Sequence, residues 1–231
     1  MDFLQVLNPE QRTAVLHIKG PLLILAGAGS GKTRVITSRI AYLVGEGHAR
    51  PDEVLAVTFT NKAAEEMRGR VESLLGSDCS RMWVSTFHSL CARLLRREAP
   101  AIGLSRDFVI YDSSDQLTVV KQALKALQID DSFVQPRAAL SRISHAKNRM
   151  ESPEAIAAAA DWNRRDEHIA KVYAYYLNAL KESSALDFDD LLLKTVELFE
   201  QSEPSSVSTR ARISSAALLV KVTASNSCGS A

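Results

Sequence analysis

The residues of this chain that are best suited to chemistry follow an apolar run that starts at Leu22 and gives way to small residues before Gly31, Lys32 and Thr33. A loop of small residues lets successive backbone N–H groups point at phosphate oxygens. Lys32 would reach the β- and γ-phosphates as a point charge, Thr33 would hold Mg²⁺, and the helix that starts there would add its positive dipole end. We predict a phosphate-binding loop made of Ala26, Gly27, Ala28, Gly29, Ser30, Gly31, Lys32 and Thr33.

One residue of the loop departs from the strict motif, which has glycine where this chain has Ala26. Alanine does not readily adopt a positive φ. The prediction therefore rests on Gly29, Gly31, Lys32 and Thr33 taken together. The alternative is a glycine-rich turn between a strand and a helix that binds no ligand.

The composition sets wide limits. With 231 residues, 46% of them hydrophobic, the chain has room for one large domain or two small ones. Its 28 basic and 27 acidic residues nearly balance, so a site for a polyanion has to be a local patch. Three scattered cysteines argue against a disulfide framework and a zinc site. No basic leader or apolar stretch of about 18 residues is present, and we expect a cytoplasmic protein without a membrane anchor.

The pattern of residues 8–97 alternates short apolar strands with amphipathic helices, which is typical of a parallel sheet covered by helices. The predicted strands are residues 22–25, 54–58 and 82–86. Each precedes a predicted helix, at residues 32–44, 61–75 and 87–97, and Thr60 or Asn61 would cap the second of these. We predict an α/β fold that begins as a P-loop nucleoside triphosphatase domain.

Helical periodicity dominates residues 112–203, after a possible short strand at residues 108–111. Helices are predicted at residues 114–127, 136–147, 153–159, 166–181 and 188–200, and Asp187 would cap the last. A helical subdomain therefore interrupts the α/β domain. Its basic residues form either a phosphate-facing stripe or a solvated helix face, and they are Arg137, Arg142, His145, Lys147 and Arg149.

Residues 204–231 have a different composition, rich in serine and lacking Asp and Glu. Such a composition is typical of a linker or a disordered tail. Residues 216–222 (AALLVKV) are nevertheless apolar and β-branched enough to form a strand.

Four sequence blocks together resemble the N-terminal part of the UvrD/PcrA/Rep-type superfamily 1A DNA helicases. They are AGAGSGKTR, VTFTNKAAEEM, VSTFHS and LDFDDLL, and the resemblance covers about residues 3–203. It implies a RecA-like ATP-binding domain at residues 1–110 that resumes at residues 186–203, an all-helical insertion at residues 111–185, and an unrelated tail at residues 204–231. LDFDDLL resembles the family's return to the first domain, and we interpret its carboxylates as helix-capping and domain-junction groups.

The resemblance also assigns residues to the nucleotide. Gln11 resembles the family's adenine-reading glutamine, and its amide offers the donor and acceptor that match the adenine edge. Arg34 is similar to an arginine that packs on adenine, which suits a planar guanidinium. Without the resemblance, a surface cap at Gln11 and a solvated helix residue at Arg34 are the simpler interpretations.

A second group of residues would contact single-stranded DNA. The family stacks DNA bases on an aromatic that corresponds to Phe59, and stacking contributes about 1 to 3 kcal/mol per base whatever the sequence. Composition alone favours a core position for Phe59, and His88 could be a packing histidine. The remaining DNA contacts that the resemblance implies are made by Thr60, Asn61, Lys62, Thr86, Phe87 and His88.

The expected activity is ATP-dependent 3′–5′ unwinding, with ATP and Mg²⁺ as cofactors, single-stranded DNA and junctions with duplex as substrates, and a monomeric state. The family's acidic DExx block should follow LDFDDLL by roughly twenty to thirty residues, and the serine-rich tail occupies that interval instead. The second motor domain and its arginine finger are also missing, and loss of an arginine finger costs about 10³ to 10⁵ in rate. We therefore expect binding with little turnover. The alternatives are a non-catalytic nucleotide- or DNA-binding fragment, a frameshifted product, and a P-loop kinase.

Overall fold

The computed structural model describes residues 2–27, 29–76, 79–160 and 164–201. Within these residues the chain divides into two compact units, the first ending at Leu90 and the second beginning at Cys91. The predicted domain boundaries at residues 110, 185 and 203 stay predictions. Residues 204–231, with the possible strand at residues 216–222, lie outside the described part. No helix in that part is long and apolar enough to cross a membrane.

The first unit is a layered α/β structure. Its elements are helix α1 (Pro9–Leu16), helix α2 (Lys32–Gly45), strand β1 (Leu55–Thr58), helix α3 (Asn61–Leu75) and strand β2 (Trp83–Thr86), after which helix α4 (Phe87–Glu98) begins. Strands β1 and β2 pair in parallel, with Leu55 opposite Trp83 and Thr58 opposite Thr86. The α/β class with a parallel sheet is therefore confirmed.

The core of the first unit lies where α2 and α3 cover this sheet. Ile40 of α2, Ala56 and Val84 of the strands, and Met67 and Val71 of α3 belong to one buried cluster. All four residues of β1 are buried, which explains their continuous apolar pattern. Because the crossover helix α3 joins two parallel strands, both strands end at the same edge of the sheet.

The predicted strand at residues 22–25 is wrong. The segment has no regular secondary structure, and Leu23 and Leu25 are 80% and 86% exposed. A strand satisfies its backbone groups only by pairing with a neighbour, and among the described residues of this sheet β1 pairs with β2 alone. The apolar pattern of the segment was strand-like, but no described segment supplies the partner.

The second unit is mainly helical. It contains strand β3 (Val109–Ile110), helices α5 (Ser113–Ala126), α6 (Pro136–Asn148), α7 (Pro153–Ala158) and α8 (Arg164–Glu182), strand β4 (Ala185–Leu186) and helix α9 (Phe188–Gln201). Its core includes Leu124, Ile143, Val172 and Tyr176. All five predicted helices are present. Strand β4 was not predicted, because two residues that pair in parallel with β3 are too short to show a periodicity.

Candidate functional site

The loop before α2 has the backbone geometry that the glycine pattern predicts. Gly29 and Gly31 have φ angles of 76° and 85°, which glycine adopts without strain. Gly31 is the N-cap of α2, so the loop leads directly into the N-terminus of a 14-residue helix. Ala26 is not among the described residues with a positive φ, and alanine is therefore tolerated at that position. Ala28 lies outside the described residues.

The side chain of Lys32 is folded over this loop. Its Nζ donates hydrogen bonds to the carbonyl oxygens of Ala26 at 2.6 Å and Gly27 at 2.8 Å. The ammonium group thus lies within the loop, at the positive end of the α2 dipole, where an anion would be favoured. A phosphate oxygen in the loop could replace these carbonyls as the partner of the ammonium group.

Gln11 contacts the same loop from α1. Its side chain accepts a hydrogen bond from the backbone N–H of Asn8 and completes a capping box with that residue. Its Nε2 donates to the carbonyl oxygen of Ser30 at 3.0 Å. Glycine is favoured at position 31 by its φ of 85°, and a Cβ added there would approach this Nε2 to 2.9 Å, so the Gln11 amide would have to shift. The amide and the loop are therefore held together.

A cavity of about 240 Å³ adjoins the loop and brings Gln11, Ala26, Ser30 and Lys32 together. Arg34 does not line it, and lies exposed along a different groove, beside Glu66 and Arg70 of α3. The structure thus joins Gln11 to the phosphate loop but leaves Arg34 outside this cavity.

Thr33 occupies the second position of α2 and is half-buried, next to the lysine that reaches the loop. A hydroxyl oxygen is a hard ligand of the kind that Mg²⁺ prefers. Among the described residues no group of three or more His, Cys, Asp or Glu side chains could hold a metal ion. Thr33 is thus the metal-ligand candidate that the loop itself offers, and its binding of Mg²⁺ stays a prediction.

The second group of predicted residues lies at the edge of the sheet where β1 and β2 end. Phe59 follows β1 and is 59% exposed, so it is not a core residue. Phe87 follows β2, and the two ring centroids are 5.9 Å apart. Because Thr58 and Thr86 are paired in register, the two aromatics leave the sheet side by side. They form a partly exposed aromatic surface, which we call the Phe59–Phe87 pair.

Polar residues at the start of α3 lie beside Phe59. Thr60 caps the helix, since its Oγ1 accepts a hydrogen bond from the backbone N–H of Ala63. Asn61 and Lys62, the first two residues of the helix, are exposed. The N-terminus of α3 therefore presents an amide, an ammonium group and a positive dipole end to solvent, which suits a phosphate group.

Thr86 and His88 are less exposed to solvent than Asn61 and Lys62. Thr86 is buried, and its Oγ1 donates to the Oγ of Ser89 at 2.8 Å while accepting from the Ser89 backbone N–H. This hydroxyl caps the start of α4. His88 is half-buried. Their contacts with DNA stay predictions.

Arg39, a buried arginine of α2, was not predicted as a functional residue. It is 3% exposed, and its Nη1 donates to the carbonyl oxygens of Ala14 at 2.9 Å and of His17. Desolvation lowers the pKa of its guanidinium below the ordinary value of an arginine. An arginine on the apolar face of a helix was the available sequence signal.

In the second unit, the predicted basic stripe is corrected at Lys147. This residue is 2% exposed, and its Nζ contacts Asp187 at 2.6 Å and Asp190 at 2.8 Å. The Tyr176 hydroxyl also donates to Asp187. Lys147 points into the protein because two carboxylates from the start of α9 neutralise its charge there. We call Lys147, Tyr176, Asp187 and Asp190 the buried ionic cluster.

The other four basic residues of the predicted stripe fall into two groups, those in ion pairs and those exposed to solvent. Arg142 and Arg149 both form ion pairs with Glu151, at 3.2 Å and 2.6 Å, whereas Arg137 and His145 are exposed. The described geometry therefore favours a solvated helix face over a continuous phosphate-facing stripe.

Two of the three carboxylates of LDFDDLL have the predicted capping role. The Oδ1 of Asp187 accepts from the Asp190 backbone N–H, and the Oδ2 of Asp190 accepts from the Asp187 backbone N–H. Burial raises the pKa of the Asp187 carboxyl, but Lys147 and the hydrogen bonds outweigh this effect and hold it below 3.8. Burial and the charge of Asp187 raise the pKa of Asp190. Both carboxylates therefore have a structural role, and neither resembles a solvent-exposed carboxylate that could bind Mg²⁺.

Comparison with known proteins gives a consistent result. The chain matches the family described as the UvrD/REP helicase N-terminal domain over residues 7–220. It is 50% identical over 200 residues to the ATP-dependent DNA helicase PcrA of Bacillus subtilis (strain 168), a match that covers 87% of this chain and 27% of the relative. The PcrA of Staphylococcus epidermidis (strain ATCC 12228 / FDA PCI 1200) is 49% identical over 195 residues, which cover 84% of this chain and 27% of the relative.

The extent of these matches has two consequences. This chain spans about 27% of the length of the relatives that it matches. The family match also runs to residue 220, and so includes residues 204–220, which composition had assigned to the tail.

Proposed function

This chain belongs to the UvrD/REP helicase family, and we propose that it is the ATP- and single-stranded-DNA-binding part of a 3′–5′ DNA helicase. The relatives at about 50% identity are named ATP-dependent DNA helicases. The observation that carries the proposal is that one compact unit holds both the Lys32 loop and the partly exposed Phe59–Phe87 pair.

ATP would bind with its phosphates in the loop before α2. Lys32 would exchange its bonds to the Ala26 and Gly27 carbonyls for phosphate oxygens, and Thr33 would hold Mg²⁺, which neutralises charge on the phosphates. Gln11 would read the adenine edge from α1, which the loop-facing position of its amide supports. Arg34 would pack on the base, a role that requires its exposed side chain to move away from the groove beside α3.

Single-stranded DNA would bind across the edge where β1 and β2 end. Bases would stack on Phe59, while Thr60, Asn61 and Lys62 contact the adjoining phosphates from the start of α3. Thr86, Phe87 and His88 would extend the same track beyond β2. Stacking tolerates any base, so the surface suits an enzyme that moves along DNA irrespective of sequence. We infer further that the chain is a cytoplasmic monomer that also binds junctions between single and double strands.

The 231-residue chain should bind these ligands but hydrolyse ATP slowly. Hydrolysis requires carboxylates for Mg²⁺ and the attacking water at the end of a strand. The pair Asp52 and Glu53 lies in a short 3-10 helix before β1 and contacts Arg50 at 3.4 Å and 3.1 Å. The pair Asp166 and Glu167 lies in the first turn of α8. These positions favour, as a second candidate, a protein that binds nucleotide and DNA without catalysis.

Steady-state ATP hydrolysis by the purified chain, with and without single-stranded DNA, tests whether this chain is itself catalytic. We expect bound ATP with turnover near background in both conditions. DNA-stimulated turnover that Lys32→Ala abolishes would overturn the second candidate and establish catalysis by this chain. Absence of both ATP and DNA binding would overturn the proposed function itself.

A further inference from the structure

Arg39 lies on α2 seven residues after Lys32. Two helical turns separate them, so their side chains project from nearly the same side of α2, about 10 Å apart along its axis. Arg39 is 3% exposed, which is unusual for an arginine without a carboxylate partner among the described ion pairs. It therefore needs another source of electrostatic compensation.

The C-terminal end of α1 supplies that compensation. Ala14 is in the last turn of the helix and His17 is its C-cap, so both carbonyls lack partners within α1. The Arg39 Nη1 donates to both oxygens. A cation at a helix C-terminus is also stabilised by the negative end of the helix dipole. Arg39 thus anchors the end of α1 to the middle of α2.

Helix α1 depends on such anchors because it has only eight residues. Isolated helices shorter than about 12 residues are marginal in water. Its apolar contribution is small, since Val15 is its one fully buried residue and packs in a cluster with Leu7 and Val35. Two polar contacts therefore fix the helix: Gln11 to the Ser30 carbonyl at its beginning and Arg39 at its end.

Because burying Arg39 is costly, we infer that it orients the carbonyl groups that it binds and does not merely fill space. An apolar side chain of similar volume would fill the same space without desolvating a charge. In addition, the Nε of Arg39 is buried without a hydrogen-bond partner. A planar guanidinium, in contrast to an apolar residue, fixes the position of the carbonyls that it binds.

We propose that Arg39 is a positioning residue of the nucleotide site, which holds α1 against α2 so that Gln11 stays at the phosphate loop. The inference rests on the proposed ATP-binding function. It states that Arg39 supports recognition of the base, whereas the phosphates are bound by the loop independently of Arg39.

Binding of ATP, GTP and inorganic tripolyphosphate to the full chain separates base from phosphate recognition. In Arg39→Gln we expect the ATP affinity to fall about tenfold, toward that of GTP, while tripolyphosphate affinity stays within about twofold. Arg39→Lys keeps the charge but loses the planar group, and should retain part of the preference. Combining Arg39→Gln with Gln11→Ala should add little to either variant alone.

Arg68→Lys is the matched control, because Arg68 of α3 also donates to a backbone carbonyl, that of Val84 at 2.7 Å, which belongs to β2 and not to α1. It should leave the ATP preference unchanged. Amide hydrogen exchange gives a readout that needs no ligand: Arg39→Gln should speed exchange in residues 12–16 and leave α3 protected.

Equal losses for all three ligands in Arg39→Gln, or no loss for any, would overturn the inference. Equal affinities of the wild-type chain for tripolyphosphate and ATP would also overturn the inference, because the base would then contribute nothing to binding. That result would leave phosphate binding by the loop intact. Failure of the wild-type chain to bind any of the three would instead contradict the proposed function.

Discussion

The ring centroids of Phe59 and Phe87 lie 5.9 Å apart, with an angle of 47° between the ring planes. Each residue directly follows a strand, and the two strands are paired in register. The distance and tilt are within the range of favourable aromatic pairs. Phe59 therefore packs against Phe87, the residue that directly follows the next strand, although more than half of Phe59 is exposed.

Replacement of Phe59 by alanine should weaken binding of single-stranded DNA by about 1 to 3 kcal/mol, because one stacking platform is removed. The measurement is fluorescence anisotropy of a labelled oligothymidine. Protein stability should change little, since the ring is largely exposed. Phe133→Ala is the matched control, as Phe133 is 47% exposed but belongs to the second unit. Equal DNA affinities of the two variants would refute the stacking role.

Replacement of Lys147 by methionine should destabilise the second unit by about 3 to 5 kcal/mol. The change leaves the buried carboxylates of Asp187 and Asp190 without their cation. Urea unfolding followed by far-ultraviolet circular dichroism measures the loss. Lys121→Met, at an exposed position of α5, is the control and should be nearly neutral. A Lys147 variant as stable as this control would show that the ion pairs add nothing.

The buried ionic cluster should also make stability depend on pH. The native pKa of Asp187 is below its ordinary value of 3.8. As the pH falls, the unfolded chain therefore takes up this proton before the native protein does. The contribution of Asp187 is present above about pH 4 and is lost as the pH falls through the native pKa. The raised pKa of Asp190 acts in the opposite direction and partly offsets it. Unfolding of Asp187→Asn should consequently depend less on pH than that of the wild type between about pH 5 and pH 2; an unchanged slope would contradict the assignment.

Features that depend on local sequence were predictable. Thr60 caps α3 and Asp187 caps α9 as expected, because a cap is decided within three or four residues. The two parallel strands also followed from their apolar runs, since both are covered by helices. Helix α1 was missed although Asn8 and Gln11 form a capping box that its sequence signature would have indicated.

Features that depend on distant partners were not predictable. The strand expected at residues 22–25 lacks a neighbour among the described residues, and its apolar pattern carries no information about pairing. Lys147 shares the helical spacing of the exposed basic residues, yet its partners Asp187 and Asp190 lie some 40 positions later. Arg39 is similar, because the carbonyls that bind it belong to the preceding helix.

The most direct test of the central claim, that the loop before α2 binds the phosphates of ATP, is calorimetric titration of the full chain with ATP and Mg²⁺. We predict saturable binding at one site, weakened at least about tenfold in Lys32→Ala, because a charge-assisted hydrogen bond contributes about 1.5 to 3 kcal/mol. Lys19→Ala, at an exposed position of the same unit, should bind like the wild type. Equal ATP affinities of the wild type and Lys32→Ala would contradict the account.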